Sequence, residues 1–203
     1  MTAPFTKGHS DPTVQPVPAS VVEKVDAADT TLQNPQRAVI SLGSNLGNRL
    51  ETLQGAVDAL EDTPGVRIKG VSPVYETEPW GVEPGTQPSY FNAVVVLKTT
   101  LLPSSLLERA HAIEEAFNRV RDERWGPRTI DVDIVAYADA VSDDPHLTLP
   151  HPRAHERAFV LAPWYDVDPQ AQLPGRGSVA ELLAAVTREG VEPRQDLELR
   201  LPE

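Results

Sequence analysis

Residues 90–99 read YFNAVVVLKT and residues 103–118 read PSSLLERAHAIEEAFN, and these adjacent segments decide the fold class. The first contains a continuous apolar run, which is typical of a buried strand. In the second, a proline stands where the first turn of a helix accepts it, and apolar side chains recur every three or four residues. We therefore predict a strand followed by a helix that runs from Ser104 to about Asn118.

The same periodicities predict three more strands and one more helix around this pair. Residues 38–43 (AVISLG) have the composition of a short strand, and residues 48–60 place leucine and valine at helical spacing. Residues 67–75 predict an irregular strand, and residues 129–137 predict a further one. The order strand, helix, strand, strand, helix, strand is that of a ferredoxin-like α+β sandwich, with helices packed on a mainly antiparallel sheet.

Residues 1–36 are expected to lie outside the folded domain. They are rich in proline and polar residues and have little apolar periodicity, so they bury too little surface to offset the entropy of ordering. We predict a disordered tail there and a folded domain over residues 37–203. Within that domain, the apolar block 158–162 predicts an added helix or strand, and residues 179–186 predict a final helix.

Composition excludes several classes of function. A net charge of -12 over 203 residues argues against a general nucleic-acid binder, which needs a basic surface. The absence of cysteine excludes disulfides, thiolate zinc sites and a cysteine nucleophile. No apolar run approaches the roughly 20 residues that span a bilayer. These features predict a soluble, cytoplasmic protein with no nucleic-acid or membrane partner. We also expect it to act on small molecules and to be a monomer.

Two aspartates one residue apart are the first candidate ligands for a metal. In a strand, Asp131 and Asp133 lie on one face, roughly 6.6 to 7 Å apart, while Ile130, Val132 and Ile134 take the other face. Magnesium takes one or two carboxylates and completes its shell with water and substrate phosphates. The alternative is a solvated strand face that happens to carry two acids.

The segment before these aspartates concentrates arginine in an otherwise acidic chain. Arg119, Arg121, Arg124 and Arg128 surround Trp125 in a stretch that also contains glycine and proline, so a loop is expected. Guanidinium groups suit phosphate oxygens, and an indole stacks on flat rings. The alternative is that these arginines pair with the two acids in the same loop.

Two other segments could contact an anion. The turn GSNLGN, residues 43–48, lies between a predicted strand and a predicted helix, where backbone N–H groups bind anions, although helix capping by Asn45 or Asn48 is the simpler role. Residues 150–159, PHPRAHERAF, place His151 among arginines, which suits phosphate better than zinc. A surface loop of mixed charge is the alternative there.

Five blocks together resemble the 6-hydroxymethyl-7,8-dihydropterin pyrophosphokinase family of folate synthesis. They cover residues 41–49 (SLGSNLGNR), 72–81 (SPVYETEPWG), 87–95 (QPSYFNAVV), 119–134 (RVRDERWGPRTIDVDI) and 147–163 (LTLPHPRAHERAFVLAP). The RWGPRTxDxDI block is the most specific, and the resemblance extends over about residues 37–168. Small departures occur at Glu78, Trp80 and Ala154, none of which removes a ligand.

The resemblance implies an ATP-dependent diphosphotransferase that moves the β,γ-pyrophosphoryl group of ATP to the pterin hydroxymethyl oxygen and releases AMP. It implies two magnesium ions on Asp131 and Asp133, which form the catalytic centre with Arg119 and Arg128. It places ATP on Glu114, Arg121, Trp125, Ile134, Thr148, His151 and Arg157, and the pterin on Thr77, Glu78, Trp80, Tyr90, Asn92 and Phe159. Closure of the 77–89 and 119–128 loops would exclude water from the transfer.

Two other classes of protein are weaker matches to the sequence. A nucleotide-sensing ferredoxin-like module would keep the arginines without needing a pterin slot, and Tyr90, Asn92 and Phe159 speak against it. A DxD transferase that uses a nucleotide-sugar usually needs a larger fold than about 167 residues provide. The sequence therefore favours pyrophosphoryl transfer.

Overall fold

The computed structural model describes residues 34–79, 87–117 and 129–201. Within these ranges the helices are α1 (Arg49–Glu61), α2 (Pro103–Ala116), α3 (Ala158–Val167) and α4 (Val179–Ala185), with a 3-10 turn at Ala154–Glu156. The strands are β1 (Gln36–Ser44), β2 (Val66–Val71), β3 (Tyr75–Thr77), β4 (Tyr90–Thr99), β5 (Asp131–Tyr137), β6 (Ser142–Asp144), β7 (Leu147–Leu149), β8 (Gln172–Leu173), β9 (Gly177–Ser178) and β10 (Val191–Pro193). Residues Pro35–Glu203 form one compact unit, whereas positions 1–33 of the predicted tail lie outside the described residues.

The main sheet is antiparallel, and β4 is its central strand. On one side β4 pairs with β1, which pairs in turn with β5, and on the other side it pairs with β2. The resulting order β5-β1-β4-β2 is that of the ferredoxin-like sandwich. The predicted fold class is therefore confirmed. Two short strands extend the sheet, since β3 pairs with the first residues of β4 and β10 pairs with β3.

The two faces of the sheet are covered by different helices. The first face packs against α1 and α2, where fully buried Leu53, Leu60 and Leu106 join Ile40 and Val95 in one apolar cluster. The second face packs against α3 and α4, whose fully buried side chains include Trp164, Leu161 and Val179. Because strand residues alternate between faces, neighbours on one strand belong to different cores. No helix in the described part of the chain is both long enough and apolar enough to cross a membrane.

Some elements differ from the sequence-based expectation. The predicted irregular strand over residues 67–75 is two strands, because Pro73 lacks the N–H that would continue the ladder. The apolar block 158–162 forms a helix, and that helix includes Pro163. The hairpins β6–β7 and β8–β9 and the strand β10 were not predicted. Strands of two or three residues are too short to show a period-2 pattern.

Candidate active site

The register of the sheet places four residues in one row across four strands. Tyr75 on β3 pairs with Asn92 on β4, Asn92 pairs with Gly43 on β1, and Gly43 pairs with Asp131 on β5. Asp133 lies in the next row of the same face, opposite Ser41. Residues from segments far apart in the sequence therefore share one end of the second face.

The two carboxylates lie at the start of β5 and face away from the core under α1 and α2. Asp131 is half-buried, and the side chain of Asp133 is 50% exposed, whereas Ile130, Val132 and Ile134 are buried. No group of three or more ligating side chains occurs among the described residues. Two neighbouring carboxylates with one open side fit a magnesium ion that takes its remaining ligands from water and phosphate.

A histidine and an arginine stand beside the carboxylates. The backbone N–H of His151 donates to the Val135 carbonyl at 2.9 Å, which fixes this loop to β5. The Nδ1 atom accepts the N–H of Arg153 at 3.2 Å, so a neutral ring carries its proton on Nε2. That Nε2 lies 3.5 Å from Nη1 of Arg157, which is 4.0 Å from Oδ2 of Asp133. Two neighbouring N–H donors thus stand next to the acids.

Burial lowers the pKa of both donors but changes the charge of only one at neutral pH. It lowers the pKa of the His151 imidazole, although the Asp133 carboxylate opposes the shift, so the ring is neutral near pH 7. Burial also lowers the pKa of Arg157, but a guanidinium remains charged in proteins. The pair therefore offers one fixed positive charge and one neutral donor.

Three of the predicted pterin residues, Thr77, Tyr90 and Asn92, come together on β3 and β4, and with Phe159 they form what we call the predicted pterin slot. Asn92 Nδ2 donates to Thr77 Oγ1 at 2.7 Å, both side chains are buried, and Tyr90 pairs with Thr77 in the register. The Asn92 amide oxygen lies over Gly43, since a Cβ built there would be 3.0 Å from it. Phe159 is half-buried at the first turn of α3 and packs with the core of the same sheet face.

Other predicted residues have structural contacts of their own. Glu114 is only 3% exposed, and its Oε1 accepts the N–H of Val132 at 3.0 Å, so this carboxylate holds α2 against β5. The Ile134 side chain lies in the core under α1 and α2. Thr148, in the β6–β7 hairpin, donates its hydroxyl to the Asp144 carbonyl at 3.1 Å. The roles of Glu114, Ile134 and Thr148 toward ATP stay predictions.

Glu78 directly follows β3 and does not join the residues of the slot. Its side chain is exposed, and its N–H donates to the Gly190 carbonyl at 3.3 Å. Several other predicted site residues lie outside the described residues, namely Trp80, Arg119, Arg121, Arg124, Trp125 and Arg128. Most of the two predicted closing loops, 77–89 and 119–128, lies outside them as well.

The turn after β1 anchors the ends of both loops. Ser44 Oγ donates to the Thr129 carbonyl at 2.5 Å, and Asn45 Nδ2 donates to the Pro88 carbonyl at 3.4 Å. Asn48 accepts the Glu51 N–H at 3.4 Å and caps α1, which is the simpler of the two roles considered for this turn. The anchoring role was missed because its partners lie more than 40 positions away.

Two other features of the site region were missed from the sequence. Gly43 lies between Asn92 and Asp131, and its one sequence signal is a glycine at the end of a strand pattern. Glu76 binds both Arg49 and Arg194 beneath the predicted pterin slot. Nothing local signals the second contact, since Glu76 and Arg194 are 118 positions apart.

Comparison with known proteins places the chain in a family. The family model described as 7,8-dihydro-6-hydroxymethylpterin-pyrophosphokinase matches residues 39–169. A Pseudomonas aeruginosa 2-amino-4-hydroxy-6-hydroxymethyldihydropteridine pyrophosphokinase is 45% identical over 157 residues, which cover 77% of this chain and 96% of that protein. A Mycobacterium tuberculosis protein of the same name is 45% identical over 162 residues, which cover 73% and 82%.

The solved structures that match support the fold. Wild-type Plasmodium falciparum HPPK-DHPS, crystallised with SDX-DHP, has a TM-score of 0.58 at 16% sequence identity, with 74% of this chain covered. The match covers 44% of that longer chain, so this protein spans less than half of it. The family match and the relatives confirm the resemblance seen in the sequence, and the chain belongs to the 7,8-dihydro-6-hydroxymethylpterin-pyrophosphokinase family.

Proposed function

We propose that this protein transfers the β,γ-pyrophosphoryl group of ATP to the hydroxymethyl oxygen of 6-hydroxymethyl-7,8-dihydropterin and releases AMP, a step of tetrahydrofolate biosynthesis. The observation that carries the proposal is the row in which Gly43 separates Asn92 from Asp131. The row supports the proposal because the residues expected to bind a flat polar ring and the two carboxylates share one face, with a residue that lacks a side chain between them.

The distance between the strands suits a pterin site near Asn92 and a metal site at Asp131. Neighbouring strands are about 4.8 Å apart, so the Asn92 and Asp131 backbones, two strands apart, are separated by roughly 10 Å. The Asn92 amide is held by Thr77 and has an oxygen directed over Gly43. An amide paired with the polar edge of the pterin would direct the hydroxymethyl group toward β5, and Phe159 would contact the ring face.

Asp131 and Asp133 would hold two magnesium ions, and such ions when bound neutralise the triphosphate and polarise the transferred group. Arg157 and His151 would bind phosphate oxygens, since their donors lie 3.5 Å apart beside Asp133. The charge of Arg157 is permanent, and the neutral His151 adds a hydrogen bond without repelling that guanidinium. Arg119, Arg121 and Arg128 are proposed to complete this set.

This reaction needs no nucleophile from the protein. Phosphoryl transfer depends chiefly on in-line positioning and on neutralising charge, and the pterin hydroxyl is itself the attacking group. The residues of the site would therefore bind and orient two substrates. We also propose that residues 37–203 form the catalytic domain and that the protein works as a cytoplasmic monomer.

The proposal is tested by product analysis. Purified protein with Mg²⁺, ATP and 6-hydroxymethyl-7,8-dihydropterin is expected to form AMP and the pterin diphosphate in equal amounts. The matched control is 6-methyl-7,8-dihydropterin, which lacks the accepting hydroxyl and should yield no AMP. Formation of ADP, AMP formation without a pterin product, or no reaction at all would contradict the proposal.

A further inference from the structure

One carboxylate beneath the predicted pterin slot joins three other polar side chains. Glu76 Oε1 accepts from Ser89 Oγ at 2.6 Å and from Arg49 Nη1 at 3.1 Å, and Oε2 accepts from Arg194 Nη1 at 2.5 Å. Both guanidinium groups lie over the Phe91 ring, at 3.6 and 5.4 Å from its centroid. We call these five residues the Glu76 cluster.

The Glu76 cluster lies directly behind the slot. Glu76 pairs with Phe91 in the register, and Thr77 pairs with Tyr90 one position further on. Because side chains alternate along a strand, Thr77 and Tyr90 face the site while Glu76 and Phe91 face the side of α1. The cluster therefore links the ends of β3 and β4 on the sheet face opposite to the slot.

The cluster also joins three distant segments of chain. Arg49 begins α1, and its Nη1 donates to the Ser89 carbonyl as well, at 2.7 Å. Ser89 stands directly before Tyr90, the first residue of β4. Arg194 follows β10 and lies beyond the residues that match the family model, 39–169. Its N–H donates to the Val74 carbonyl at 2.8 Å.

We infer that Glu76 is a positioning residue for the pterin, which it serves by holding Ser89 and Tyr90 in place between Arg49 and Arg194. The inference rests on the proposed function. Without the Glu76 carboxylate, Arg49 would lose its ion pair and Arg194 would keep only Asp196. The two guanidinium groups would then share the Phe91 ring without the one anion that binds both, and like charges repel. The hydrogen bond from Ser89 holds the pKa of Glu76 below its usual value, so the carboxylate is ionised at neutral pH.

The inference predicts a selective effect on one substrate. The proposed ATP contacts of His151 and Arg157 lie beside β5, two strands away from β4, and share no residue with the Glu76 cluster. A change at Glu76 should therefore reach the pterin through Tyr90 and leave ATP binding intact. If Glu76 only supported the fold, its substitution would weaken the binding of both substrates to a similar extent.

The test is the steady-state kinetics of the Glu76→Gln variant, which keeps the size of the side chain and removes its charge. We expect the KM for the pterin to rise about tenfold, which is the factor that corresponds to the loss of one charge-assisted hydrogen bond. The kcat and the KM for ATP should stay within about twofold of the wild-type values. Ser89→Ala should shift the same constant by a smaller factor. Arg67→Met is the matched control, because it removes a 2.6 Å ion pair with Glu61 at the far end of β2.

Two results would overturn the inference: an unchanged pterin KM in a folded Glu76→Gln protein, or a parallel rise of the pterin and ATP constants. Equilibrium binding of the pterin, measured by its fluorescence with Mg²⁺ and a non-hydrolysable ATP analogue, tests the same point without turnover. Weaker pterin binding by the Glu76→Gln variant would support the positioning role, whether or not the wild type forms AMP. If the wild type forms no AMP, only the proposed function is contradicted. Equal binding by both proteins would refute the positioning role.

Discussion

At the residue scale, Gly43 occupies the place between the predicted pterin slot and the carboxylates. A Cβ at this position would lie 3.0 Å from Asn92 Oδ1 and 3.7 Å from the Tyr90 ring. Gly43→Ala should therefore fill part of the pterin site and lower kcat/KM for the pterin by about 10- to 100-fold, the cost of roughly 1.4 to 2.8 kcal/mol. ATP-analogue binding, measured by calorimetry, serves as the internal control and should change little. A variant with wild-type pterin kinetics would show that this space is not used.

The two aspartates should matter for turnover more than for nucleotide binding. We expect Asp131→Asn or Asp133→Asn to lower kcat by at least about 100-fold, because each removes charge where the transferred group is stabilised. ATP-analogue affinity should fall far less, since arginine and histidine donors remain. The exposed Asp143→Asn, in the β6–β7 hairpin, is the control. Equal losses of turnover and affinity would argue that the aspartates have a mainly structural role.

The ionisation of Glu76 predicts how its contribution to stability depends on pH. Its pKa is lowered from the usual 4.5, with the Ser89 hydrogen bond as the main cause. A carboxylate with a lowered folded pKa stabilises the protein above its unfolded pKa, and this stabilisation is lost as the pH falls through the folded pKa. The difference in melting temperature between wild type and Glu76→Gln should thus be largest near pH 7 and shrink below pH 4.5. A difference that stays constant from pH 7 to 4 would exclude the charge as its cause.

At the scale of single elements, α2 links the apolar core to the site. Its buried Leu106 packs under the sheet, and Glu114 near its end holds the backbone of β5 through Val132. Leu106→Ala should lower the free energy of unfolding by about 2–5 kcal/mol, the usual cost of a cavity at a buried leucine. Urea denaturation measures this change. Leu102→Ala, four positions earlier and 61% exposed, should cost less than about 0.5 kcal/mol. Similar costs at both positions would contradict the packing of α2.

The turn between β1 and α1 makes both a local helix cap and hydrogen bonds to distant segments. The sequence pattern of residues 43–48 indicated a capped helix start, and Asn48 provides that cap. Ser44 and Asn45, however, hold the carbonyls of Thr129 and Pro88, at the ends of two different loops. A helix cap is a local interaction and is visible in the sequence, whereas these anchors depend on how distant strands come together.

At the scale of the whole molecule, the compact unit begins at Pro35, and β1 begins at Gln36. None of the described site residues lies before that strand. Removal of residues 1–33 should therefore leave turnover within about twofold of the full chain, as expected for the tail that the sequence predicts. The measurement compares AMP formation by the two proteins at equal concentration. Loss of soluble protein or of activity on truncation would refute the prediction and with it the proposed domain boundary.

The amino-acid sequence by itself determined what depends on near neighbours and on recognisable blocks: the order of the four main strands and two helices of the sandwich, the shared face of Asp131 and Asp133, and the family. These follow from periods of 2 and 3.6 residues and from short motifs. The tertiary structure alone decided the row from Tyr75 to Asp131 through Gly43, and the contacts of Glu76 with Arg194. The physical reason is that strand register and the return path of the C-terminal segment result from packing between residues tens of positions apart, which local patterns do not encode.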